Sequence, residues 1–155
     1  MLSEKNLNLR WIKLTFPLLA TAILLVALGA FSMNILSSVR AYVNGEGLYS
    51  KAQKDAVLHI SHYVRSRDER DYQRFLRAIA VPLGDRSARL ALDGPEPDAA
   101  AARVGFLAAR NHEDDIAGMI RLFRTFRHVS FMNDAIDIWA AADVLVVELE
   151  QEASR

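Results

Sequence analysis

The chain has 155 residues, of which 52% are hydrophobic and 25% charged, with 19 Lys and Arg against 19 Asp and Glu and no cysteine. That length fits one domain, or a small domain with an appended segment. Zero net charge makes no bulk electrostatic case for nucleic acid, which needs a basic face, the missing thiols exclude a disulfide scaffold, a thiolate zinc centre and a cysteine nucleophile, and the apolar fraction excludes a disordered chain.

With only 7 Gly and 4 Pro among many Ala, Leu and Arg residues, the composition is helical. No residue from Leu14 to Val39 is charged. Roughly 20 apolar residues rising 1.5 Å each cross a hydrocarbon core of roughly 30 Å, so residues 14–36 are expected to form a transmembrane helix. Pro17 falls in the first turn of that run, where its missing N–H costs least. Lys5, Arg10 and Lys13 precede the run, and Arg40 alone follows closely. The positive-inside bias then puts residues 1–13 in the cytoplasm and residues 37–155 outside. Trp11 stands where an interfacial aromatic anchors the inner end. A cleaved signal peptide is the rival reading, with Ala27-Leu28-Gly29 as its processing site. The apolar run exceeds a signal-peptide core of roughly 7–15 residues and continues through position 39, which favours an uncleaved anchor.

Beyond the membrane the pattern is helical almost throughout. Tyr49, Ala52, Ala56, Ile60 and Tyr63 follow one helical stripe in a segment from Ile35 towards Val64. Gly45 and Gly47 weaken that helix by about 1 kcal/mol each, so a kink is expected there. Asp68, with Asp71 three residues later, reads as the cap of a short helix that turns Tyr72, Phe75, Leu76 and Ile79 inward. Val81-Pro82-Leu83-Gly84-Asp85 is expected to end it, with a further short helix over Arg86 to Leu92. Asp93-Gly94-Pro95-Glu96-Pro97-Asp98 is a loop. Asp98 opens an alanine-rich helix to about Arg110. Asn111 caps the next, with Glu113, Asp114 and Asp115 facing the positive end of its dipole and Ile116, Met119, Ile120 and Phe123 inward. In the last helix, from about Val129, Met132, Ala135, Trp139, Ala142, Val146 and Leu149 form a heptad stripe. The expected fold is all-α: an N-terminal transmembrane helix followed by an antiparallel bundle of about four main helices. The last helix lacks a stop signal and points back to the membrane, so the natural protein is expected to continue into a second span.

Catalytic patterns are missing: there is no phosphate loop, nucleophile elbow or HExxH pair. No catalytic site, metal or cofactor is expected. His59 and His62 share a helical face, and His112 adjoins three acids, but one partly buried and one exposed histidine on a bundle helix account for the first pair, and an acidic first turn at a helix N-terminus for the second group. Lys51 and Lys54 are the only lysines after the apolar run. They are placed to meet an anionic ligand between helices, with Arg86, Arg110 or the Arg124, Arg127 and His128 group. Trp139 is read as core, or as an aromatic wall of a cavity.

Four strings carry a resemblance. They are SSVRAYVNGEGLYSKAQKDAV from Ser37, VPLGDRSARLAL from Val81, ARNHEDDIAGMIRLF from Ala109 and AIDIWAAAD from Ala135. Together they are similar to the extracytoplasmic helical sensor region at the N-terminus of bacterial membrane-bound signalling proteins. In those proteins it precedes diguanylate cyclase, phosphodiesterase or histidine kinase domains. The chain departs from that pattern at Tyr49, where Trp is usual, at Ala109 and Ala142, where Gly is usual, and at Glu113, where Pro is usual. The resemblance implies an input domain without enzyme activity of its own. It implies Lys51, Lys54, Asp85, Arg86, Arg110, Asn111 and His112 as the ligand-binding positions. The expected partners are a small anionic or zwitterionic ligand, the membrane and a second copy in a homodimer, with no nucleic acid. The expected function is a periplasmic sensory input domain relaying ligand or partner binding across the membrane. The alternatives are a complete membrane-anchored structural or interaction protein, and an exported helical binding protein.

Overall fold

The structure is a computed structural model. It describes residues 2–155, without the side chains of residues 2–10, Ile12 and Phe131, so the flanking bases Lys5 and Arg10 lie outside the described side chains. The described residues form five helices and no strand: α1 (Leu2–Ser66), α2 (Glu69–Asp93), α3 (Ala99–Ala108), α4 (Glu113–Phe126) and α5 (Ser130–Ala153). The chain divides into two units, Met1–Leu36 and Ser37–Arg155.

In the first unit every described side chain from Lys13 to Asn34 is exposed. The helix is long and apolar enough to cross a membrane. Among its described side chains, the hydroxyls of Thr15, Thr21 and Ser32 donate to the carbonyls of Trp11, Pro17 and Leu28 at 2.8 Å each. Pro17 lies in the interior of α1 rather than in a first turn, because the helix begins at Leu2.

The second unit is built around two larger cores and a small cluster of Ala52, Val81 and Ala109. One gathers Ala41 from α1, Ala88 and Leu92 from α2, Phe106 from α3, Ile116, Met119 and Phe123 from α4 and Ile136 from α5. The other sets Ala56 of α1 and Val146 of α5 against Phe75, Ala78 and Ile79 of α2. The alanine stripe of α1 is inward as its spacing predicts, with Ala52 and Ala56 buried. The helix α1 continues unbroken through Gly45 and Gly47. Gly45 is instead a point of close approach, where an added Cβ would sit 2.8 Å from Asn111 Oδ1.

Two expected helices are in fact one. The segment Val81–Asp85 continues α2, with Pro82 and Gly84 buried inside it. An interior Pro costs about 3 kcal/mol, and tertiary packing offsets that here. A Cβ on Gly84 would meet the Ala109 nitrogen at 2.7 Å, and one on Gly105 would meet the Ala88 nitrogen at 2.5 Å. These two glycines let α2 and α3 touch backbone to backbone. Leu76, expected inward, is 38% exposed, while Phe75 and Ile79 are buried.

The caps follow side-chain chemistry. Asp68 accepts from the Arg70 N–H, and Asp98 from those of Ala100 and Ala101. At α4 the cap is His112, whose Nδ1 accepts from the Asp114 N–H at 3.3 Å, and not Asn111. The buried face of α5 is centred on Ile136, Asp143 and Val146. Trp139 and Ala142 are half-buried and Ala135 is exposed, so the heptad stripe is rotated from the expected one.

Candidate functional site

Within the second unit, α1, α2, α3, α4 and α5 enclose a cavity of about 530 Å³. Tyr42 and Tyr49 of α1, Phe106 of α3, Met119 of α4 and Trp139 of α5 supply an apolar, mostly aromatic wall. Asp85 of α2 is the buried charge-bearing group on it, 5% exposed, and Glu46 stands at its exposed rim. The volume lies within the usual range of small-molecule sites, roughly 300–1,000 Å³.

The position of Asp85 is built locally. Between α3 and α4 the chain turns at Arg110, which adopts a left-handed φ of 65°. The turn directs the Asn111 side chain inward, where its amide donates to Asp85 Oδ1 at 3.3 Å and to the Phe106 carbonyl at 3.2 Å. Gly45 leaves room for that amide against α1. Burial pushes the Asp85 carboxyl up to about 7, and the neighbouring Asp143 pushes the same way against the Asn111 hydrogen bond. Tyr42 donates to the Met119 carbonyl at 3.1 Å. The Tyr49 hydroxyl is buried without a hydrogen-bond partner, and burial pushes its pKa up to about 12.

Behind the cavity a buried ion pair ties α2 to α5. Arg89 donates to Asp143 Oδ2 from Nε at 2.9 Å and from Nη2 at 2.7 Å. Burial nevertheless raises the Asp143 carboxyl against that guanidinium, and its Oδ1 is without a partner. Arg89 also faces Asp93 at 3.6 Å, and Asp93 pairs with Arg127, which donates to Asn133 at 2.8 Å.

A second, smaller concavity of about 260 Å³ is basic. Lys51, Arg74, Arg77 and Arg110 line it with His59 and Asp55. Two of these cations already have partners: Arg110 donates to the Arg77 carbonyl at 2.9 Å and Arg74 to Asp71 at 3.2 Å. Its chemistry suits an anion.

The expected site residues therefore fall into separate places. Lys51 and Arg110 share the basic groove, and Asp85 and Asn111 share the aromatic cavity. Lys54 is exposed and lines neither. Arg86 is half-buried beside Asp143, and His112 is an exposed cap. Arg124, Arg127 and His128 line a recess at the Gly94–Pro97 loop. Among the described residues no three His, Asp or Glu side chains converge on a metal-sized site. Tyr42 and Phe106 joined the cavity wall without a sequence signal, whereas Met119 carried one as an inward residue of its helix. Asp143 had one, as the lone acid between Ala140 and Val147.

Compared with models of protein families, with curated proteins and with solved structures, the chain finds no match.

Proposed function

We propose that residues 37–155 form the extracytoplasmic sensory input domain of a bacterial membrane-bound signal-transduction protein. Residues 14–36 anchor it in the plasma membrane, and the helices of the domain, packed as an antiparallel bundle, pass a binding event to an output domain on the cytoplasmic side. The observation that carries this reading is that one helix serves both ends. α1 contains the exposed apolar run and also Tyr42, Gly45 and Tyr49 of the cavity wall. A ligand shifts such an equilibrium only by binding its two states differently. Helix displacements of about 1–2 Å are a common form of the resulting change. The domain in this reading binds and relays, and does no chemistry of its own.

The proposed working state is a homodimer with α1 facing its copy. The chain has no native cysteine, so single cysteines at positions 38–48 give an unambiguous disulfide scan in membranes. Val39 and Val43 are 42% and 63% exposed, whereas Ala41 is 3% exposed. Cross-linking should peak at 39 and 43 and be missing at 41. Uniform cross-linking, or none at any position, would refute the dimeric relay.

A further inference from the structure

The cavity and the basic groove have opposite chemistry, and the cavity wall includes Tyr49, whose hydroxyl is buried without a partner. Among the described residues lining the cavity there is no Lys or Arg, while two carboxylates, Asp85 and Glu46, reach it. Its walls present the rings of Tyr42, Tyr49, Phe106 and Trp139. Tyr42 and Phe106 meet edge to face, with centroids 6.2 Å apart and planes at 84°. Aromatic faces attract a cation by their quadrupole, and a buried carboxylate needs a countercharge or a proton.

We infer that the cavity binds a protonated organic amine with an apolar body, its ammonium held by Asp85 among the aromatic rings and its body along the wall. The Tyr49 hydroxyl, buried and without a partner, gives the ligand a second hydrogen-bonding group. The raised carboxyl of Asp85 fits the same picture. Asn111 donates a long hydrogen bond of 3.3 Å, and no described cation pairs with Asp85, so a bound cation would supply the missing countercharge. Lys51 and Arg110, the residues behind the expectation of an anionic ligand, line the other concavity.

This inference rests on the reading of residues 37–155 as an input domain, and its test measures binding apart from topology or signalling. The full chain is purified in nonionic detergent with Trp11→Phe, so that Trp139 is the only tryptophan reporting fluorescence. It is titrated with 2-phenylethylamine, with neutral 2-phenylethanol and with 3-phenylpropionate as the anionic counterpart. The amine should quench Trp139 saturably and raise the melting temperature, and the other two should bind at least tenfold more weakly. Asp85→Asn, which keeps the shape and the Asn111 contact, should lower amine affinity at least tenfold with the circular dichroism spectrum unchanged. Tyr49→Phe should weaken binding less. Preference for the anion, no saturable binding of the amine, or unchanged amine affinity in Asp85→Asn would overturn the inference. Saturable amine binding in a chain whose domain faces the cytoplasm would leave the site standing and remove the sensor reading.

Discussion

Replacing Asp85 by Asn should stabilise the protein most at alkaline pH. In the folded chain the carboxyl keeps its proton up to a pH of about 7, whereas its ordinary value is 3.8. The folded state therefore binds more protons than the unfolded state between those values. Stability falls as pH rises through that window and levels off above it. Each unit is worth about 1.4 kcal/mol, so a shift of roughly three units costs about 4 kcal/mol at pH 8. The substituted amide cannot ionise, yet its oxygen still accepts from the Asn111 amide. Thermal melts of the full chain in nonionic micelles, followed at 222 nm from pH 4 to 8, give the difference between variant and parent. Groups that do not face Asp85 cancel in that difference. At pH 8 the variant should melt about 10 °C higher, since 1 kcal/mol is worth roughly 2–4 °C in a chain of this size. The gain should shrink towards zero near pH 4. A difference independent of pH, or a variant less stable at pH 8, would refute the argument that Asp85 is buried without a countercharge. Stabilisation combined with loss of amine binding would be a trade of stability for function.

Other substitutions separate packing from propensity. Gly105→Ala drives a methyl group to 2.5 Å from the Ala88 nitrogen, so denaturant unfolding should report a loss at the upper end of roughly 1–3 kcal/mol. Gly47→Ala, with nothing within 4 Å of the new Cβ, should instead gain roughly 0.5–1 kcal/mol from helix propensity. Arg89→Ala strands Asp143 in the interior and should cost about 3–5 kcal/mol, whereas Arg89→Met with Asp143→Leu should recover most of that in the same denaturant series. Trp139→Ala should lower stability by about half of the roughly 3–5 kcal/mol typical of a fully buried aromatic, because Trp139 is a half-buried cavity wall.

What the sequence revealed about the fold was the local part. Asp68 and Asp98 announced their helices because their carboxylates cap within three residues. The Gly94–Pro97 loop and the alanine stripe of α1 were legible for the same reason. The segment from Val81 to Asp85 was not, because Pro82 and Gly84 stop an isolated helix. Here they are held by α3, whose Gly105 and Ala109 come from more than twenty residues later. The α4 cap shifted by one residue because Asn111 is engaged by Asp85, 26 positions earlier, leaving His112 to accept from the helix. In α5 apolar spacing pointed to the stripe through Trp139, because Asn133, Asp143 and Glu150 make the neighbouring stripe polar. The pull of Arg89 on Asp143 selects the observed rotation. Of the site, Asp85 and Asn111 were named from the sequence, but the string that contains Arg110 and Asn111 sends those two residues to different places. One faces Arg77 and the other Asp85. The aromatic wall comes from three helices, and no spacing within one helix predicts which rings meet.

The central claim, a domain outside the cytoplasm on an N-terminal anchor, is tested most directly by paired reporters at one site. Alkaline phosphatase and green fluorescent protein are each fused after Arg155 in bacterial cells, and phosphatase activity is compared with fluorescence at matched expression. The apolar run from Leu14 to Val39, with its bases on the N-terminal side, predicts an active phosphatase and a dark fluorescent fusion in the membrane fraction. An inactive phosphatase with a bright fluorescent fusion would put residues 37–155 in the cytoplasm and contradict the account.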